Sequence, residues 1–156
     1  MKGGILKHSD AIKFITAGNA TVTFLNTKTN NRFTYKIKRS KTSKEDNSIF
    51  FVKVLTNPDL YQFVGSIFKN KFKHSQKSKI SAEAQSVVVF QYVFGKLMEG
   101  QLDSCVEIWH EGHCGRCGRQ LTVPESIENG IGPECMKMMN SKAEIRNRKI
   151  EKILKS

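Results

Sequence analysis

Three cysteines and a histidine in the last third of the chain have the residue types and spacing to hold a metal ion: His110, Cys114, Cys117 and Cys135. Cys114-Gly-Arg-Cys117 sets two thiols two residues apart, so a tight turn can aim both sulfurs at one ion while its amides donate to them. Gly115 and Gly118 stand where such a turn needs permissive backbone angles. Cys135 follows after 17 intervening residues, within Gly130-Ile-Gly-Pro-Glu-Cys135. Gly132 as cap and Pro133 as first residue predict a helix whose first turn holds Cys135, where aligned amide dipoles favour a thiolate.

Tetrahedral closure needs a fourth donor. His110 is the first choice, because three intervening residues let it return to the ion from a preceding strand or turn. His113 adjoins Cys114, which makes joint ligation awkward. Cys105 supplies a thiol, but across a segment whose Val106, Ile108 and Trp109 look like strand or core. A Cys-x-x-Cys pair can also do redox work, yet the βαβ pattern that accompanies thioredoxin-like motifs is missing. Structural zinc is the expectation, with Zn2+ as the one cofactor.

The elements that must position these residues come from hydrophobic period. Residues 20–39 predict a β-hairpin turning at Lys28–Asn31, in which Phe33, Tyr35 and Ile37 share one face and Arg32, Thr34, Lys36 and Lys38 the other. Ser48–Thr56 predicts a buried strand, and Tyr61–Phe68 a further strand with Gly65 as a bulge or close approach. Lys69–Lys79, with five lysines and no period, reads as an exposed loop. Ser81 is the expected cap of a helix that runs to about Met98 and closes at Gly100, with Val87, Phe90, Phe94, Leu97 and Met98 on one face. The expected class is α+β: a small antiparallel sheet with a packed helix, then a treble-clef or ribbon-like zinc module and a C-terminal helix. The expected boundary separates a basic domain, 1–103, from a zinc-binding module, 104–156.

The formal net charge of +12 is uneven. Residues 1–80 carry 16 Lys+Arg against 4 Asp+Glu, residues 81–113 carry 1 against 5, and residues 114–156 carry 9 against 5. The basic field of the N-terminal half raises the local concentration of polyanions, which points to nucleic acid, DNA or RNA, or to an acidic host protein. No run approaches the roughly 18 apolar residues of a membrane span, and the start lacks a signal-peptide core, so a cytoplasmic protein is expected. In that compartment cysteines serve as thiols or metal ligands rather than disulfides.

The string Trp109-His-Glu-Gly-His-Cys-Gly-Arg-Cys-Gly-Arg-Gln-Leu-Thr, followed by Pro124-Glu-Ser and Gly130-Ile-Gly-Pro-Glu-Cys135, resembles an uncharacterised family of phage- and plasmid-encoded proteins. Ala17–Phe24, Arg32–Tyr35 and Phe51–Thr56 resemble its longer members, so the likeness runs to about Met136. Position by position, the family motif implies His110, Cys114, Cys117 and Cys135 as ligands, and a mobile-element protein of a bacterial host cytoplasm. It implies no activity.

A phosphate-binding surface would draw on Arg32, Lys36 and Lys38, on Lys69, Lys71, Lys73, Lys77 and Lys79, and on Arg116 and Arg119, with Phe72 or an exposed Tyr stacking on a base. Phe50, Phe51, Phe63 and Phe68 could form a stacking platform, but aromatics at such strand positions are core in most proteins, and core is the expectation. The apolar residues of 136–156 predict a helix packed on its own domain or on a partner. His110 and His113 beside zinc invite a nuclease reading of the His-metal-finger kind, but nothing supplies the matching Asp or Asn cluster for a catalytic ion and a site closed by four protein ligands is structural, so no enzyme is expected. The leading expectation is a phage-like accessory protein that binds nucleic acid through its phosphate backbone. The alternative is a protein-interaction module that binds and inhibits a host defence or transcription protein.

Overall fold

The computed structural model describes residues 4–41, 48–58, 60–121 and 129–140. The expected hairpin forms from β2 (Asn19–Asn26) and β3 (Arg32–Arg39), in register from Asn19 opposite Lys38 to Leu25 opposite Arg32. Tyr35 and Ile37 are buried, whereas Arg32, Lys36 and Lys38 are exposed, because successive strand residues point to opposite faces. β4 (Ile49–Asn57) pairs with β3, and β5 (Leu60–Phe68) pairs with β4. Between the pairs Val52–Gly65 and Lys53–Phe63 the register shifts by one residue, leaving Val64 as the bulge. Gly65 is also a close approach, since a Cβ there would collide with the Lys73 carbonyl oxygen and the Phe72 ring.

The lysine-rich stretch departs from its expected loop. Lys69 and Asn70 both have positive φ, 50° and 63°, which is the backbone of a two-residue hairpin turn. Behind it, Lys71–His74 forms β6 against β5. The alternation is four residues long and masked by lysine, yet Phe72 turns inward and its ring meets Phe90 edge-on at 4.8 Å.

The long helix α2 (Gln85–Glu99) starts about one turn after Ser81. Ser81 instead organises the preceding turn, its Oγ accepting from the Glu83 amide at 3.1 Å and its carbonyl from the Ala84 amide at 3.0 Å. Gly100 closes the helix at φ 71°. Phe90 on its buried face lies 5.7 Å from Phe24 and 4.8 Å from Tyr35, ring to ring, which seats the helix on the inner face of the sheet. Tyr35 also donates its hydroxyl to the Ser86 carbonyl at 2.6 Å.

Two elements precede the hairpin that the hydrophobic pattern did not disclose: β1 (Gly4–Leu6) and α1 (His8–Ile15). β7 (Val106–His110) pairs antiparallel with both β1 and β2, and among the described residues the seven-stranded order is β1-β7-β2-β3-β4-β5-β6. This corrects the boundary at 103/104. A strand from the expected zinc module is an interior strand of the sheet, and one apolar cluster joins Leu6, Phe14, Val22 and Phe90 to Cys114, Ile131 and Cys135. The α+β class and antiparallel sheet stand, with a last helix, α3, over residues 133–140. The expected continuation of that helix through 141–156 lies outside the described residues. No helix among the described residues is long and apolar enough to cross a membrane.

Candidate functional site

Sequence-local chemistry builds the cysteine turn. The Gly118 amide donates to the Cys114 carbonyl at 2.9 Å and the Cys114 amide to the Arg119 carbonyl at 2.8 Å, while His113 and Gln120 bridge as an antiparallel pair at its base. Gly118 takes φ 79°, a backbone that a side chain would strain. Tertiary contacts then place the turn. The Asn19 amide donates to the Gly115 carbonyl at 2.7 Å, and the Gly115 amide donates to the Gly130 carbonyl at 2.9 Å. The buried Phe14 ring lies under both glycines, where an added Cβ would come within 2.6 Å at Gly115 and 2.5 Å at Gly130. α1, unseen in the sequence pattern, is thus the platform of the cysteine turn. α3 is tied to it through Lys13, whose Nζ donates to Met136 Sδ at 3.1 Å and to Asn140 Oδ1 at 3.3 Å.

Pro133 opens α3 as expected, and its first turn carries Cys135. The sulfurs of Cys114, Cys117 and Cys135 all lie within 4.8 Å of one another, a group that could hold a metal ion. Tetrahedral thiolates about 2.3 Å from zinc stand roughly 3.8 Å apart, so closing on an ion needs only side-chain adjustment. Backbone donors already serve the sulfurs: Arg116 and Gly132 amides reach Cys114 Sγ at 3.4 and 3.3 Å. Burial raises the Cys114 thiol, but the amides of Gly132, Cys117 and Arg116 outweigh it and hold the group below its ordinary value. Cys135 is pushed up, first by burial and then by its two sulfur neighbours, against the opposing Arg116 guanidinium, whose Nη1 lies 3.5 Å from its sulfur.

The first-choice fourth ligand is not in this group. His110 is 1% exposed, and its Nδ1 accepts the Gly112 amide at 3.0 Å. With Nδ1 accepting, the neutral ring carries its proton at Nε2. The β7 pairing explains the placement: His110 lies on the inner face opposite Val22 and Gly4, with its ring 5.8 Å from Phe14. His113 is exposed and also outside the group. Cys105 lies beyond the opposite end of β7, where its carbonyl accepts from Thr27, so the strand's length separates it from the cluster. Among the described residues, three sulfurs therefore form the site. An open pocket of about 430 Å³ lies over them, bordered by Arg119, Gln120, Glu134 and Met138.

The basic residues divide into groups. Arg32, Lys36, Lys38, Lys71 and Lys73 are exposed and share the outer sheet face, opposite α1 and α2. Lys69 sits in the β5–β6 turn with Nζ 5.4 Å from the Phe68 ring centre, and Lys77 and Lys79 are exposed beyond β6. Arg116 is half-buried and engaged with Cys135 and Met138, so it serves the cysteine group, while Arg119 is exposed at the pocket rim. Lys53 and Tyr61 escaped the sequence reading, and Phe51 and Phe63, expected in the core rather than on a stacking platform, lie on the outer face. The signal was the alternation Phe51-Val52-Lys53-Val54, hidden because Phe50 is core while its neighbour Phe51 is 42% exposed.

Residues 109–139, from the end of β7 through the cysteine turn to α3, match the model of a family of unknown function, DUF6011. The likeness covers the three cysteines and their connecting segment, consistent with an uncharacterised family. No curated protein and no solved structure matches the chain.

Proposed function

We propose that this is a zinc-binding accessory protein of a mobile element that binds nucleic acid mainly through the phosphate backbone. One observation carries the binding: β3 to β6 hold seven Lys+Arg and no Asp or Glu. A basic field of that kind attracts polyanions and speeds their encounter. Soft thiolate ligands favour zinc, and Cys114, Cys117 and Cys135 would hold it. Bound there, the ion would cross-link the turn to α3. Zinc thereby fastens the cysteine turn against Phe14 at one end of the sheet.

The rival reading, a module that inhibits a host defence or transcription protein, would use the groove of about 320 Å³ between α2 and the β2–β3 turn, where Val88 and Tyr92 are exposed. That groove lacks the charge asymmetry of the sheet. Salt titration of binding separates the two. A nucleic-acid complex should lose affinity with a log-log slope of about −0.7 to −0.9 per phosphate neutralised. Failure of the zinc-loaded protein to shift DNA or RNA, single- or double-stranded, at low salt would end the proposal.

A further inference from the structure

We propose that the outer face of β3–β6 is a platform for single-stranded nucleic acid, on which Phe51 and its aromatic neighbours stack bases between lysines that hold phosphates. This rests on the nucleic-acid reading above and deepens it. The register writes the surface out in rows. Lys38 is opposite Phe51, Phe51 opposite Ser66, and Ser66 opposite Lys73. In the next row Lys36 is opposite Lys53, and Lys53 opposite Phe63. Four strands about 4.8 Å apart make the first row roughly 14 Å wide, with Phe51 between Lys38 and Lys73, while the second row crosses three strands and sets Phe63 beside two lysines.

The content of these rows is unusual for a face left to water. Phe51 and Phe68 are each 42% exposed, and the Phe51 and Phe63 rings meet edge-on at 6.1 Å. Lys36 rests over the Tyr61 ring with its Nζ 4.3 Å from the centre. Lys36 and Lys53 stand directly opposite each other across adjacent strands, where like charges repel. Among the described residues, none of Lys36, Lys38, Lys53 and Lys73 has a carboxylate within 4 Å. A bound phosphate would offset that repulsion further than solvent screening does.

Both long helices lie on the other side. Phe90 packs on Phe24, Tyr35 and Phe72, all inner-face residues, and Phe14 packs beside His110. The acidic residues on this side are Glu107 in β7 and Glu111 just past its end, and burial, then the Glu111 carboxylate, raise the Tyr61 hydroxyl above its ordinary range. The footprint therefore centres on β4–β6. Ring faces can stack only on bases that expose theirs, which a duplex does not offer along its length and a single strand does. Aromatic residues on a four-stranded sheet hold about two or three bases in this way.

The test is fluorescence anisotropy of the zinc-loaded full chain against a labelled single strand of about 12 nucleotides and against its duplex. Phe51→Ala should weaken single-strand binding roughly 5- to 100-fold, from the usual worth of one base–aromatic stack. Duplex binding should change less than about twofold, since phosphate contacts remain. Phe51→Tyr should retain single-strand affinity, and Lys53→Gln should weaken both complexes and reduce the salt slope by about one phosphate. Phe51 is partly exposed, so circular dichroism of both variants should match the parent. Equal losses for strand and duplex in Phe51→Ala, or no loss in either, overturns the platform. Tight duplex binding with no single-strand binding overturns the platform and leaves the phosphate-backbone reading intact. Absence of binding to both refutes the two together.

Discussion

Phe14 and Gly115 form a sterically matched pair that makes the docking of the cysteine turn measurable. Phe14 is fully buried, and an added methyl at Gly115 would come within 2.6 and 2.8 Å of two ring carbons and 3.0 Å of the Phe14 carbonyl oxygen. Phe14→Ala removes a whole core ring and should destabilise by about 3–5 kcal/mol. Gly115→Ala forces the ring or the turn to move and should cost about 1–3 kcal/mol as overpacking. In the double variant the ring contacts are gone and the new methyl fills part of the space, leaving only the tight approach to the backbone oxygen. The double should therefore be more stable than the sum of the singles implies, by roughly 0.5–3 kcal/mol. The assay is urea denaturation of all four proteins at one saturating zinc concentration, so that metal linkage is held fixed. Additivity to within about 0.5 kcal/mol would falsify the placement of the cysteine turn on α1.

Cys117→Ser and Cys135→Ser should each strongly reduce zinc measured by elemental analysis, whereas Cys105→Ser should retain about one ion per chain. His110→Ala should also retain it while lowering stability, because its ring fills buried space beside Phe14; zinc loss without a stability change would reinstate the histidine as a ligand. Gly65→Ala should destabilise by more than about 1 kcal/mol, because β6 crosses where the methyl would go; protection of β6 amides from hydrogen exchange should fall first. Tyr35 has its hydroxyl raised above its ordinary value of 10.0 by burial. Its contribution is complete below pH 10 and is lost as pH rises above it, at up to about 1.4 kcal/mol per pH unit. Tyr35→Phe should lower stability by about 1 kcal/mol at neutral pH, by loss of the Ser86 bond, and flatten the alkaline limb of a stability–pH curve.

Much of the framework was legible in the chain because its causes are local. Alternation in Arg32–Arg39 assigned both faces of β3, Gly100 stopped α2, and Pro133 started α3, since period, left-handed backbone and a missing amide act within a few residues. The Cys114–Cys117 turn and the joining of Cys135 to it followed from ligand spacing in the same way. Elements shorter than their own pattern escaped. β1 has three residues and β6 four, too few for alternation to stand out, and β1 exists only because β7 supplies its ladder.

What pairing alone decides is where β7 goes, and much else follows from it. Insertion between β1 and β2 merges the expected domains into one core and turns His110 inward opposite Val22. There its Nδ1 accepts a backbone proton, and the residue lies outside the sulfur group. The division of Phe50 from Phe51 has the same origin. Both look like core in the chain, but a strand with helices on one face buries alternate residues, and the register assigns Phe50 to the helices and Phe51 to the lysines of the outer face.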